Sequence, residues 1–387
     1  MLAKATTRLG TETAFEVLAK AKALEAEGRD IVHLEIGEPD FDTPRFIVEA
    51  GIQALRDGYT HYGPSSGLPQ ARAAFAEYAG SMRGIEIDPD TVVVTPGAKP
   101  VMFFGMLSLV DPGDEVIYPN PGFPIYESVI EYMGAKAVPL RLSEENRFSF
   151  DVEELRSLIT PRTKMLILNS PANPTGGVIP KQDIEAVAEL ARSHDFWVLS
   201  DEVYARILYA GEHFSLLSIP GMRERTILLD GHSKTYAMTG WRLGFAVAPK
   251  PVADMMTKFM TNCNSCTAGF TQIAGIAAVR GPQDDVAAMV QEFRARRDLV
   301  VDGLNAIPRV SCCKPSGAFY VFPNITQTGT RSTELAGRIL REAGVATLAG
   351  TAFGAYGEGY LRLSYASSQE NIRKALSRIG ELIEKLP

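Results

Sequence analysis

Seven short apolar runs limit what this chain can fold into. They are Thr91–Val94, Glu115–Tyr118, Ala137–Leu140, Lys164–Leu168, Trp197–Leu199, Thr226–Leu229 and Leu243–Val247. Helical patterns lie between several of them, at Val101–Val110, Asp151–Ile159 and Lys181–His194. Strands that are apolar along their whole length have both faces buried, and strands alternating with helices build a parallel sheet covered on both sides. The pattern predicts an α/β fold around a seven-stranded, mostly parallel sheet. In open α/β sheets ligands bind beyond the carboxyl ends of the strands. Here those ends carry Gly97-Ala98-Lys99, Asn120 to Phe123, Asn173, Asp201 with Tyr204, and Lys234. Reactive residues are therefore expected to converge on one site.

The flanks read differently. Thr13–Glu27 has helical periodicity with a stop at Gly28, and the stretch IVHLEIGEPDFDTP gives a short strand that turns at Gly37. Helices are expected near residues 45–57 and 68–82, joined by the loop GYTHYGPSSG at 58–67. Beyond Pro249 the texture is helical. Asp285–Asn305 carries the run EFRARRD, which reads as a solvated helix face. Gly317–Phe322, Ala346–Leu348 and Tyr360–Tyr365 read as strands, and Gln369–Leu386 as the last helix. This end reads as a second, smaller α+β domain.

Composition excludes several classes. With 39 basic and 46 acidic residues the net charge is −7, so no basic footprint argues for nucleic acid. No apolar run approaches a membrane span. The first residues have no apolar core for secretion and few arginines, so a cytoplasmic address is the expectation. Cys263 and Cys266 form one C-x-x-C and Cys312 and Cys313 are adjacent, which is poor spacing for a metal and ordinary for free thiols; no metal is expected. The glycine loops of dinucleotide-binding and P-loop proteins do not occur.

The stretch Asp230 to Gly244, DGHSKTYAMTGWRLG, carries the most chemistry. An apolar run stops at Ser233-Lys234, and Arg242 follows eight residues later. A strand ending at a lysine delivers an amine to a site mouth, and an arginine just beyond can hold a phosphate. Amine plus phosphate clamp is what a pyridoxal phosphate (PLP) Schiff-base site needs. A surface lysine and a structural arginine would leave the same short trace, so the remaining motifs decide.

Those motifs are LEIGEPDFDTP, THYGPSSGLP, TPGAK, DPGDEV, NSPANPTG, SDEVY, SKTYAMTGWRLG, PSGAFY and YLRLSYA, running from Leu34 to Ala366. In order and spacing they resemble the class I/II aminotransferases of PLP fold type I, and among these the prokaryotic-type aspartate aminotransferase subgroup. The resemblance implies a large PLP-binding domain at 46–279 and a small domain built from both termini, 1–45 and 280–387. It implies that Lys234 is the Schiff-base lysine, that Asp201 pairs with the pyridine nitrogen, and that Tyr204 and Asn173 hydrogen-bond the 3′-oxygen. Phe123 matches the aromatic ring stacked on the pyridine. Gly97, Ala98 and Lys99 would open a helix onto the phosphate, with Arg242 adding charge and Ser233 alongside. Gly231 departs from relatives that carry a phosphate-binding serine at that place. Tyr62 matches a tyrosine donated to the neighbouring subunit's phosphate, which implies a homodimer with shared active sites. Arg362 matches the arginine that forks the substrate α-carboxylate, helped by Gly37 and Asn173.

The implied function is amino transfer from an L-amino acid to a 2-oxo acid. Lys99 matches a position that meets a distal carboxylate in some relatives, so an acidic donor such as aspartate is favoured, although Glu12 and Glu16 on the first helix would repel one. A C–S β-lyase or an aminocyclopropane-carboxylate synthase uses nearly the same residues. A non-enzymatic PLP-sensing domain is a further alternative, and it would carry a DNA-binding domain and a basic charge.

Overall fold

A computed structural model of the chain describes residues 2–387. The chain opens with α1 (Thr13–Ala26), β1 (Val32–His33), α2 (Arg45–Arg56) and α3 (Pro69–Arg83). The seven apolar runs then all become strands of one sheet: β2 (Val92–Thr95), β3 (Glu115–Asn120), β4 (Lys136–Arg141), β5 (Thr163–Asn169), β6 (Trp197–Asp201), β7 (Thr226–Gly231) and β8 (Gly244–Val247). Their order in space is β2-β8-β7-β6-β5-β3-β4.

Every pairing is parallel except those of β8, which runs antiparallel to both β2 and β7. That reversal positions the site. Gly244, the first residue of β8, is in register with Thr95 and with Gly231, the last residues of β2 and β7. Residues 232–243 therefore leave and re-enter the sheet at one edge, the edge where the parallel strands end.

Helices cover both faces. On one side α4 (Lys99–Leu109), α5 (Ile125–Met133) and α9 (Lys250–Cys263) bury Met102, Phe104, Tyr126 and Met256 against Ile167, Leu199 and Ile227. On the other, α2, α3 and α10 (Gly269–Arg280) bury Ile47, Phe75 and Ala274 against Val94, Leu228 and Phe245, while α6 (Val152–Leu158) and α7 (Lys181–His194) cover Leu166, Leu168 and Val198. Between β7 and β8 lies a four-residue helix, α8 (His232–Thr235). The remaining elements are α11 (Asp284–Asn305), β9 (Tyr320–Val321), α12 (Ser332–Arg338), β10 (Val345–Ala346), β11 (Leu348–Ala349), β12 (Leu361–Ser364) and α13 (Gln369–Glu384). One apolar core joins Val32 and Leu34 near the N-terminus to Phe293, Val300, Phe319, Leu363 and Ile379, so both ends of the chain share it.

Three readings of the C-terminal part need correction. Ala346–Leu348 is not one strand. The chain changes partner at Thr347: β10 lies parallel to β1, and β11 lies antiparallel to β12. Of Gly317–Phe322 only Tyr320–Val321 is strand, because Ala318 is left-handed at φ 56° and Gly317 is pressed against the Pro171 ring. The run EFRARRD is not solvated. Phe293 is fully buried, the Arg296 guanidinium lies 4.9 Å from the Phe41 ring and donates to Asp40 at 2.7 Å, and that of Arg297 lies 4.7 Å from the Tyr209 ring. Arginine stems and planar heads pack on aromatic rings while their charges stay paired, so a charged run can be core.

Candidate active site

At the carboxyl edge of the sheet lies a cavity of about 640 Å³. Its wall includes Gly37, Ala98, Lys99, Phe123, Asn173, Asp201, Tyr204, Ser233, Lys234, Arg242 and Arg362. Of the residues singled out in the sequence, Gly97 stands directly behind this wall. Tyr62 does not line it and is 88% exposed. Asn120, another strand-end residue, is structural: its side chain accepts from the Tyr356 N–H at 3.1 Å and donates to the Tyr118 hydroxyl at 3.3 Å.

Lys234 reaches the cavity from α8. Asp230 Oδ1 accepts from the Gly231 N–H at 2.7 Å and shapes the turn out of β7. Lys234 Nζ donates to the Gly37 carbonyl at 2.5 Å. Burial pushes the amine down to about 8, against the pull of Glu38 and Glu12 and with help from Arg362 and Lys99.

Asp201 ends β6 and is buried. Burial pushes its carboxyl up to about 6. The opposing pull comes from Tyr126, whose hydroxyl donates to Oδ2 at 2.6 Å, and from the Val203 N–H, which donates to Oδ1 at 3.3 Å. Asn169, in register with Asp201, ties this edge together: it donates to the Asp201 carbonyl at 3.2 Å and accepts from the Asn173 N–H at 2.9 Å. The Asn173 amide oxygen is itself buried without a partner. Tyr204 shares a hydroxyl–hydroxyl hydrogen bond of 2.8 Å with Tyr320, and burial raises the Tyr204 phenol well above its ordinary value.

The anion end is built by close backbone approach. Gly97 turns left-handed at φ +88° and opens α4, whose first turn contains Pro100. Pro costs nothing at that position, and the unpaired N–H groups of a helix start favour an anion. A β-carbon on Gly244 would stand 2.6 Å from the Ala98 nitrogen, so only glycine lets β8 start under this loop. Arg242, left-handed at φ 54°, donates to the Thr239 carbonyl at 2.7 Å and lies against Gly97, where a side chain would strike the guanidinium. At Gly231 a β-carbon would meet Gly244, Leu243 and Ala98 at 3.3–3.4 Å, a tight fit for a serine.

Arg362 approaches from β12. Its guanidinium is sandwiched between the Tyr320 ring at 4.8 Å and the Phe353 ring at 5.1 Å, with one amine on the Glu35 carbonyl. Its Nε is buried with no partner. A planar donor held flat with one edge unsatisfied is set up to fork a carboxylate. Gly37 faces it, and any side chain there would run into the Tyr320 hydroxyl. Lys99 Nζ lies 5.5 Å over the Phe123 ring and is ion-paired with Glu12.

On the far face of the sheet the strand ends are locked by charge. Arg83 of α3 is buried and donates to Glu202 at 2.7 and 3.1 Å and to Asp230 at 3.4 Å. Burial alone would raise Glu202, but Arg83 and His213 hold its carboxyl well below the usual range; burial wins at Asp230, which sits at about 6. These residues flank Asp201 and precede Lys234, so one guanidinium fixes both strand ends.

Comparison with known proteins shows the family. The family profile for aminotransferase class I and II matches residues 29–379. The chain belongs to the class I and II aminotransferases. It is 43% identical over 363 residues to an aspartate aminotransferase of Pyrococcus abyssi, covering 92% of each sequence. It is 42% identical to aromatic-amino-acid aminotransferase 2 of Thermococcus litoralis, again covering 92% of each. The solved structure of the Thermus thermophilus aspartate aminotransferase with maleate superimposes with a TM-score of 0.95 at 39% identity, covering 99% of each chain.

Like its family, this aminotransferase works with pyridoxal phosphate. The residues fit that group: the glycine cradle beside Arg242 suits a phosphate, the orphaned Asn173 amide suits a ring substituent, and Asp201 and Lys234 line the same cavity. Several residues of this aminotransferase site escape a reading of motifs for known roles. Asn169 begins NSPANPTG and Tyr320 ends PSGAFY, so both sit in visible motifs. Tyr126 has no such signal; it is an aromatic residue in an apolar stretch, and only the packing of α5 aims it at Asp201.

Proposed function

We propose that this aminotransferase moves the amino group of an L-amino acid to a 2-oxo acid at this cavity, and that acidic amino acids such as aspartate are among its donors. Bound PLP supplies an electron-withdrawing ring that eases loss of the donor's α proton. Lys234 would hold the cofactor through its amine and, with that amine free, would take up the proton leaving the donor's α carbon. An amine with a value near 8 is neutral often enough for that work. Asp201 holds a proton on the ring nitrogen, and Tyr204 and Asn173 hold the phenolic oxygen. Phe123, on the cavity wall, would offer its ring face to the cofactor ring. Gly97, Ala98 and Lys99 offer backbone N–H groups to the phosphate, with Arg242 and Ser233. Arg362 forks the α-carboxylate, with Gly37 and Asn173 beside it. The observation that carries this reading is the pair of buried orphan atoms, Asn173 Oδ1 and Arg362 Nε, in one cavity with Lys234 and Asp201.

The donor reading rests on Lys99, at the cavity mouth, and is supported by the names of relatives that act on aspartate. The aromatic relative marks the second class to test. The experiment is kcat/KM for aspartate, glutamate, alanine, phenylalanine and arginine in the wild type and in Lys99→Ala. A selective loss for the two acidic donors, about 1.5–3 kcal/mol for a charged hydrogen bond, supports the reading. An equal loss across the panel restricts Lys99 to its backbone contact with phosphate.

The same proposal includes a homodimer in which Tyr62 reaches the partner's phosphate, a large domain at 46–279 with a small one at 1–45 and 280–387, and a cytoplasmic address. A tyrosine 88% exposed suits a residue that is buried only by a partner. The core shared by both chain ends supports the small domain. Four unpaired thiols suit a reducing compartment, and cell fractionation tests that address.

A further inference from the structure

A carboxylate of the chain itself, that of Glu12, already holds the ammonium on which the acidic-donor reading rests. In the reading above Lys234 and Arg242 serve the cofactor, and Arg362 takes the α-carboxylate. Two other basic groups of the wall are already held: Lys22 is paired with Glu25 at 2.8 Å, and His33 lies between Glu25 and Glu35 at 3.1 and 2.8 Å. Lys99 is the remaining cation of the wall, and its Nζ is paired with Glu12.

Glu12 occupies the N-cap of α1 but makes no capping hydrogen bond. Its side chain turns into the cavity instead. The charge on Glu12 is felt at Lys234, Arg362 and Tyr320 together, the groups around the space where a donor's α carbon and carboxylate must lie. The pair is at the mouth, with the Lys99 side chain 49% and that of Glu12 18% exposed. Water screens such a pair, so it can open at small cost.

We propose that Glu12 sets how well acidic donors compete with neutral ones, because its carboxylate occupies Lys99 in the free enzyme and an acidic donor must displace it. This rests on the reading of Lys99 as the partner of a distal carboxylate. A neutral or aromatic donor leaves the pair closed and packs on the apolar wall of Ala14, Leu18 and Phe353. An acidic donor exchanges one ion pair for another, and the gain from its own carboxylate is reduced by the pair it breaks. One site then serves both donor classes without a second cation.

Glu12→Gln keeps the size and a hydrogen-bonding end but removes the charge. The ratio of kcat/KM for aspartate and glutamate to that for phenylalanine should rise at least about threefold, the scale of a half-exposed ion pair. A second readout avoids turnover: calorimetry of succinate and of butyrate binding to the holoenzyme. Succinate should bind Glu12→Gln tighter by a similar factor, and butyrate should not. If the ratio and the succinate affinity stay at wild-type values while Lys99→Ala still loses acidic donors selectively, the role of Glu12 is overturned and the reading of Lys99 stands. If Lys99→Ala loses all donors equally, the reading of Lys99 fails and the exchange falls with it.

Discussion

In the proposed mechanism Lys234 must be an amine rather than an ammonium to attack the cofactor's aldehyde. Burial lowers it to about 8, so the neutral fraction falls roughly tenfold for each pH unit below that value. Covalent capture of PLP by the apo-enzyme should accelerate with pH up to about 8 and then level, as followed by stopped-flow absorbance. A climb that continues to about pH 10 would mark an ordinary exposed lysine. Borohydride fixation should label the peptide that contains Lys234. In the same mechanism Asp201 makes the opposite demand, since it must stay ionised where burial favours its acid form. The Tyr126 hydroxyl opposes burial through its 2.6 Å bond. Tyr126→Phe should therefore lower kcat by about ten- to a hundredfold, the worth of a hydrogen bond to a charged group, with donor KM nearly unchanged. Steady-state kinetics that match the wild type would reduce Tyr126 to a packing residue.

At the scale of elements, the site depends on β8 running against its neighbours. The reversal brings Gly244 beneath the Gly97-Ala98 turn, and the start of α4 rests on that contact. Gly244→Ala adds a methyl group 2.6 Å from the Ala98 nitrogen. The phosphate loop has to shift, at a cost of about 1–3 kcal/mol for overpacking, so PLP affinity should fall roughly ten- to a hundredfold. Gly240→Ala, which meets nothing within 4 Å, is the matched control. Equilibrium dialysis of PLP against both variants decides the matter, and equal retention would mean that the cradle yields. The motifs made most of these elements legible. The strand ends were visible because apolar runs stop abruptly at polar residues. The short strands of the C-terminal part were not, because two-residue pairings such as Val345–Ala346 and Leu348–Ala349 take their identity from the strand beside them.

For the whole molecule, the proposal adds to the cavity a residue from outside its own chain, Tyr62. In the proposed homodimer this exposed side chain becomes a phosphate ligand of the other copy. Sedimentation should give a dimer at assay concentrations. Mixing Tyr62→Phe with Lys234→Ala chains should yield hybrids in which one site carries both lesions and the other carries neither, so activity per intact lysine should exceed that of Tyr62→Phe alone. Full activity in a species that sediments as a monomer would rule the shared site out.

The amino-acid order by itself determined a seven-stranded, mostly parallel sheet with helices between its strands, and which residue types fall at the strand ends. The reason is that buried strands must be apolar throughout, and that an amine, an acid, a phosphate loop and a carboxylate fork each demand a residue type at a strand end or loop. Tertiary structure decided the rest. It turned the charged run around Arg296 and Arg297 into core, because aromatic rings and carboxylates from distant segments meet it there. It aimed Tyr126 at Asp201, placed Arg83 under two strand ends, and set Glu12 against Lys99. These contacts join residues 75 to 147 positions apart. Such contacts have no local signature, since a side chain's period along the chain says which face it occupies and not which partner waits there.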